Sequence, residues 1–292
     1  MANVRQVKQR INTAKNIAKI TKAMEMVSAS KMKRSQQAAL AARPYAKALE
    51  HSLRLVSSQK TTFNHPLLSE HNVGKPALVI ISTDRGLCGS LNQNLFKLAN
   101  NWLRAHEDGI LIAVGKKSIS FAEFIGLEVL AVFSDIPDKL TARDLVPLST
   151  LISTKFTDQE LRSVDLIFTD FVNTLSQHPS IIPLLPIKQF QSTEELTEPL
   201  AKLTDATEFL FEPNPGDILN ELLPYYLENT VYQSFLESKA SEHSARMVAM
   251  KNASDNAKDL VKELQLVYNK SRQESITNEL LDITTAALSL KN

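Results

Sequence analysis

From Leu236 to Ser275, small and apolar side chains recur at alternating steps of four and three residues. One seam reads Leu236, His243, Met250, Ala257, Leu264, Ser271; the other reads Ala240, Met247, Ser254, Val261, Tyr268, Ser275. A sustained 3.5-residue period is the pattern of a helix that pairs with another helix. Its seam is built of Ala, Ser, Met and His rather than Leu and Ile, so it allows close approach but adds little burial per residue. At the other end, Val4, Val7, Ile11 and Ala14 step by three and four, and after a local skip Ile17, Ile20, Met24 and Val27 continue the stripe. Lys15, Lys19, Lys22, Lys31 and Lys33 surround it. A stripe this narrow suits pairing with a helix better than burial against a sheet.

Punctuation agrees with periodicity. All seven glycines lie between Gly74 and Gly216, and all twelve prolines between Pro44 and Pro224. Residues 1–43 and 225–292 are free of both helix breakers. The first helix is expected to be kinked or restarted at Pro44 and to continue to Val56. The last is expected to begin with Asn214 as N-cap, Pro215 in the first position and Asp217 in the first turn, and to bend at Pro224. At 1.5 Å per residue the two would reach ~65 Å and ~95 Å.

Between them strand and helix patterns alternate. Ala77–Ser82, Ile110–Val114, Val129–Phe133 and Leu166–Val172 read as strands, with Thr207–Phe211 as a fifth. Leu91–His106, Lys117–Ile125 and Ala142–Ser163 read as helices. This alternation predicts a mostly parallel, Rossmann-like sheet. The expected fold class is therefore α/β, with long helices at both ends, divided as 1–57 (first shaft helix), 74–212 (α/β domain) and 213–292 (second shaft helix).

Composition narrows the function. The net charge is +1, yet residues 1–43 carry ten Lys or Arg against the single acid Glu25. Cys88 is the only cysteine, so no internal disulfide can form and a reducing compartment fits best. No apolar run approaches the ~20 residues of a membrane span, and residues 1–20 lack the apolar core of a signal peptide. They are basic and amphipathic, as a transit peptide is, but the helical pattern runs unbroken past residue 40. The basic helix could meet nucleic acid, an anionic membrane or an acidic protein collar. No aromatic residue precedes Tyr45 to stack on bases, and the apolar stripe is thin for membrane insertion.

Candidate chemistry is sparse. The loop Ser82–Asn92 joins a strand to a helix, where α/β folds place ligands, and Gly86 and Gly89 could admit a phosphate. Its spacing matches neither dinucleotide nor P-loop fingerprints, so a tight connection is the better reading. Cys88 reads as a packed residue, the Ser28/Lys31 spacing as coincidence, and adjacent Asp84 and Arg85 as a local pair. The six histidines lack metal-ligand spacing. The expectation is no catalytic, cofactor or metal site.

Four stretches together are specific: Ile20-Thr-Lys-Ala-Met-Glu-Met-Val-Ser-Ala-Ser-Lys31, Ser82-Thr-Asp-Arg-Gly-Leu-Cys-Gly89, Ser241-Glu-His-Ser-Ala-Arg-Met-Val-Ala-Met-Lys251 and Leu266-Val-Tyr-Asn-Lys-Ser-Arg-Gln-Glu-Ser-Ile-Thr277. In this order they resemble the γ subunits of F-type ATP synthases over essentially the whole chain. The resemblance implies terminal helices wound as an antiparallel coiled coil inside a hexamer of α and β subunits. It implies a Rossmann-like domain near the ε subunit and the membrane ring of c subunits. It implies a non-catalytic, nucleotide-free rotor that couples proton flow to ATP synthesis or hydrolysis on β. Partner contacts would fall on Met24, Arg246, Gln273, Thr277 and Glu279, with Lys22 facing an acidic segment of β. Ser90 stands where relatives commonly have glycine, and the single cysteine excludes the thiol switch of chloroplast relatives. The expected location is the cytoplasmic face of a bacterial inner membrane, peripheral and held through the complex. The alternative is a basic coiled-coil protein acting on nucleic acid.

Overall fold

The computed structural model describes residues 4–57, 65–137, 139–188 and 211–289. In chain order the elements are α1 (Val4–Ser57), β1 (Lys75–Ile81), α2 (Leu91–Ala105), β2 (Ile110–Val114), α3 (Lys116–Ile125), β3 (Val129–Phe133), α4 (Val146–Thr157), β4 (Leu161–Phe171), β5 (Gln177–Leu185) and α5 (Pro215–Ser289). The chain divides into two units: Lys31–Ala245, and a second made of Met1–Ser30 with Arg246–Asn292.

The Lys31–Ala245 unit is built on a five-stranded sheet of order β3-β2-β1-β4-β5. β1 pairs in parallel with both β2 and β4, β2 in parallel with β3, and β4 antiparallel with β5. β1 is buried from Pro76 onward and β2 throughout, which explains their continuous apolar runs. Successive side chains alternate between two cores. Leu78, Ile80, Leu111, Ala113 and Ile167 meet Leu95, Ala99 and Trp102 of α2. Ala77, Val79, Ile110, Ile112 and Leu166 meet Leu148, Ile152 and Phe156 of α4, with Leu49 and Leu53 of α1 and Leu219, Leu223, Leu227 and Val231 of α5. The Trp102 indole N–H donates to Asp165 on β4 at 2.7 Å, tying α2 to the sheet through a satisfied polar contact.

Most expected elements are present, with two differences. First, β5 is a strand the pattern did not suggest, because Pro179 and Pro183 interrupt it. Both are tolerated there: they lie opposite Thr169 and Asp165, on the edge strand. Second, the helix expected over 142–163 is shorter. A 3₁₀ turn at Ala142–Leu145, closed by a Thr141–Asp144 capping box, precedes α4. The chain turns with Gln159 at φ 59°, and β4 begins at Leu161. Pro147 stands in the first turn of α4, where no N–H is needed. α1 does not restart at Pro44, and α5 likewise remains one helix across Pro224. Leu49, Leu53 and Val56 are buried beyond Pro44, and Leu227 and Val231 beyond Pro224, so packing offsets each missing hydrogen bond. The start of α5 is as expected, with the Asn214 side chain accepting the Asp217 N–H at 2.9 Å. The strand expected at Thr207–Phe211 lies outside the described residues, apart from Phe211, which packs against the core.

Gly115 fixes how β1 and β2 end together. Its φ is +91°, and a Cβ there would sit 2.4 Å from the carbonyl oxygen of Ser82. Gly115→Ala should therefore destabilise this unit by about 2–4 kcal/mol. Urea unfolding followed through Trp102 fluorescence measures it; a loss below about 0.5 kcal/mol would contradict the close approach.

Candidate partner-contact surface

In the unit formed by Met1–Ser30 and Arg246–Asn292, α1 and α5 supply the two helices. On α5 the expected seam is present: Met250, Ser254 and Ala257 are buried, and Met247, Val261, Leu264, Tyr268 and Ser271 are half-buried. Ser275 is exposed, so the seam ends one step before the pattern suggested. On α1 the seam differs from the apolar stripe. Val7, Ile11 and Ala14 are buried as expected, but Ile17, Ile20 and Val27 are 48%, 60% and 55% exposed. Strict alternation of four and three instead continues through Ala18, Thr21, Glu25 and Ser28, all half-buried or buried. The seam is set by period rather than hydrophobicity here, with small side chains at Ala18, Thr21 and Ser28. Ser254 Oγ donates to the Ala18 carbonyl at 3.3 Å, an approach that larger side chains would block.

The displaced apolar residues form a surface. Ile17, Ile20 and Val27 stand outward on one side of α1, and Met26, 65% exposed, on another. The spacing that made Ile17, Ile20 and Val27 look like a seam is that of one helix face. Carrying the heptad forward from Val4 without a skip is the signal that would have identified them. A second such surface lies near the end of α5. From Arg272 to Ala286 every residue is exposed, including Ile276, Leu280, Leu281 and Ile283. Exposed apolar runs of this kind mark contact with other proteins.

The residues expected to meet partners are placed unequally. Gln273, Thr277 and Glu279 lie on the exposed stretch of α5. Lys22 is exposed and Met24 half-buried on α1. Arg246 is buried, with only 8% of its surface accessible, and lies ~40 Å along α5 from Gln273. These positions are spread along two helices rather than gathered in a pocket. Lys22 also has internal duties: its ammonium bonds Glu25 at 2.9 Å. It adds to the field holding the Asp255 carboxyl below its usual range, an effect due mainly to hydrogen bonding with Lys258, with Lys251 also contributing.

In the Lys31–Ala245 unit, the crevice at the carboxyl ends of β1 and β4 is where a doubly wound fold binds ligands. Here its lining joins Ile81, Ser82, Thr83 and Thr169 to Phe235, Ser238, Lys239 and Glu242 of α5, leaving a cavity of only about 10 Å³. A small-molecule pocket needs roughly 300 Å³ or more. The loop over 82–92 is tied internally. Asn92 Nδ2 donates to Thr83 Oγ1 at 2.8 Å and to the buried Cys88 sulfur at 3.4 Å. The Asp84 carboxylate accepts the Lys116 N–H at 3.0 Å, at the start of α3. Ser90 has φ −86°, which any residue adopts, so glycine is not required there. Among the described residues no group of three or more His, Cys, Asp or Glu could hold a metal, and no helix is long and apolar enough to cross a membrane.

A cavity of about 140 Å³ lies between α1, β4 and α5, lined in part by Gln36, Arg43, Phe171 and Glu237. Burial raises the Glu237 carboxyl above its ordinary value. Gln233 opposes the rise, the hydrogen-bonded Asp170 carboxylate reinforces it, and Arg43 opposes it.

A helix pair with a small, polar seam and an α/β crevice closed by its own helix define a structural class of protein rather than one built around a small ligand. The ATP synthase family model matches residues 3–290. The ATP synthase γ chain of Histophilus somni (strain 2336) is 40% identical over 294 residues, covering 99% of this chain and all of that one. That of Dehalococcoides mccartyi (strain BAV1) is 42% identical over 295 residues, with the same coverage. Among solved structures, the central stalk and c-ring of Tetrahymena thermophila mitochondrial ATP synthase matches with TM-score 0.60 and 28% identity, over 80% of this chain and 99% of that one. The rotor of Euglena gracilis mitochondrial ATP synthase shares the fold, with TM-score 0.66 and 16% identity, over 94% of this chain and 98% of that one. The chain belongs to the ATP synthase γ-chain family. Nothing in these likenesses favours the nucleic-acid alternative.

The Glu237 carboxyl yields a pH prediction. Its pKa is higher folded than unfolded, so the folded state holds the proton more tightly and stability falls as pH rises from the usual glutamate range through the folded value. Glu237→Gln, which stays neutral and can still donate to Asp170, should melt above the wild type at pH 8, the gap closing toward pH 4. Thermal melts across that range test it, and a gap independent of pH would refute the assignment.

Proposed function

We propose that this chain is the central rotor stalk of a proton-driven F-type ATP synthase. Its rotation couples ion flow through a ring of c subunits to ATP synthesis or hydrolysis at the β subunits. The full-length match to γ chains carries this reading. As a γ chain it is a non-catalytic subunit, the catalytic sites being on β. We assign 1–57 and 213–292 to the shaft and 74–212 to the domain that meets ε and the c ring, at the cytoplasmic face of a bacterial inner membrane. The α and β subunits would grip the outward faces of α1 and α5, with Lys22, Met24, Arg246, Gln273, Thr277 and Glu279 as contact residues. The physics suits a rotor. A shaft that must slide past several partners needs contacts that are broad but shallow, and basic side chains attract acidic neighbours over several ångströms without locking.

In a bacterium lacking its own γ chain, the wild type should restore ATP-driven proton pumping in membrane vesicles. Truncation from Ser271 onward should abolish coupled synthesis, and undiminished synthesis would sink the reading. The point residues separate further. Gln273→Ala, Thr277→Ala and Glu279→Ala should leave chain stability within about 0.5 kcal/mol while lowering coupled synthesis. Arg246→Ala, at a buried position, should lower both. Equal loss of stability in all four would argue against an external partner at 273–279.

A further inference from the structure

Serine is a mediocre helix former in a helix interior, costing about half a kcal/mol relative to alanine at each position. Yet α5 carries Ser238, Ser241 and Ser244 at steps of three, in a stretch where all three are buried. Each hydroxyl has a partner on the sheet side. Ser238 Oγ accepts the Thr169 N–H at 3.1 Å, and Ser241 Oγ donates to the Thr169 carbonyl at 3.1 Å. Ser244 Oγ donates to the Thr174 carbonyl at 2.7 Å, in the turn between β4 and β5. That turn is itself pinned, because Asn173 Oδ1 accepts the N–H groups of Leu175 and Ser176 at 2.9 Å each.

Thr169 needs these partners. The β1–β4 ladder ends at Ile80 and Ile167, so the backbone of Thr169 extends past the last residue of β1 that could pair with it. Left alone, its N–H and C=O would be buried and unsatisfied, at substantial cost. Both groups point away from β5, where Pro179 stands opposite in a non-hydrogen-bonded pair, so β5 cannot supply the partners. Helix α5 therefore completes the hydrogen bonding of β4 with side chains, in the crevice where related folds seat a ligand. Beside the serines, Lys239 and Glu242 face each other at 3.6 Å with 11% and 9% of their side chains exposed.

We propose that Ser238, Ser241 and Ser244 are positioning residues, a hydroxyl clamp that fixes α5 to β4 and transmits force between this helix and the α/β domain. The proposal rests on the rotor reading above. Hydrogen bonds suit the task better than apolar contact alone, because they resist sliding along the helix axis, whereas burial is indifferent to direction.

The test uses the full chain and the assembled complex. In the purified chain, Ser238→Ala/Ser241→Ala/Ser244→Ala should speed hydrogen exchange of the Thr169 amide roughly tenfold relative to the wild type, with Ile112 unchanged. In vesicles from the γ-less host, the same variant should keep ATP hydrolysis while the ratio of proton pumping to hydrolysis falls roughly threefold or more. The Ser→Cys triple variant, which keeps side-chain volume but bonds weakly, should follow the alanine variant. Should the triple variants fail to assemble, Ser244→Ala, which leaves both Thr169 bonds, should show a smaller fall in the same ratio. Unchanged exchange at Thr169 overturns the clamp. Faster exchange with an unchanged ratio, or a Ser→Cys variant that couples like the wild type, overturns force transmission through the hydroxyls. A wild-type chain that does not couple at all overturns the rotor reading and this proposal with it, whereas a coupling wild type beside a fully coupling variant overturns the proposal alone.

Discussion

Burial of α1 and α5 against one face of the sheet is the interaction on which the Lys31–Ala245 unit depends. Leu53, Leu223 and Val231 are fully inaccessible and share a core with Val79, Ile112 and Phe156. Each such side chain contributes about 1.5–3 kcal/mol, so Leu49, Leu53, Val56, Leu219, Leu223, Leu227, Val231 and Leu236, which the two helices bury there, together contribute up to roughly 20 kcal/mol as an upper estimate. The seam formed by Ala14, Ala18, Thr21, Ser28, Ser254 and Ala257 supplies far less per residue. The same two helices are thus strongly held where they meet the sheet and weakly cohesive where they meet only each other. This division of strength explains why long, charged segments can belong to a stable protein.

The parts legible in the sequence were those where one physical demand dominates. β1 and β2 appeared as apolar runs because helices cover both faces of the inner strands, and β3 as a short apolar run that is only half-buried at the sheet edge. α2 appeared because Leu91, Leu95, Ala99 and Trp102 repeat on one side. The heptad of α5 was legible through Ser271 because its spacing is regular even though its residues are small. β5 was not, since two prolines in nine residues speak against a strand unless its edge position is known. On α1, hydrophobicity and period point to different faces, and the buried seam follows the period. Thr21, Glu25 and Ser28 are turned inward by the geometry of a close pair, and Ile17, Ile20 and Val27 outward. Among the contact residues, spacing alone could not separate exposed Gln273 from buried Arg246; that difference is made by packing from elsewhere in the chain.

The closed crevice shows how a fold associated with small ligands serves another end. Parallel strands leave unsatisfied backbone groups where the strand order reverses, and in many α/β proteins a loop and a ligand settle there. Here Thr169 is answered by Ser238 and Ser241, and the space that remains is about the size of one water molecule. The Ser82–Asn92 loop keeps glycines at the strand–helix junction, yet its hydrogen bonds are spent on Thr83, Cys88 and the start of α3. The architecture has become a mount for a helix.

The outward set of Ile17, Ile20, Met26 and Val27 has a consequence for the life of the chain before assembly. Over this segment the usual arrangement is reversed, with greasy groups facing water and hydroxyls or a carboxylate facing the neighbouring helix. A newly made copy is therefore sticky over this segment and open to off-target clumping. A cell producing it carries the burden of keeping that segment from meeting the wrong surface.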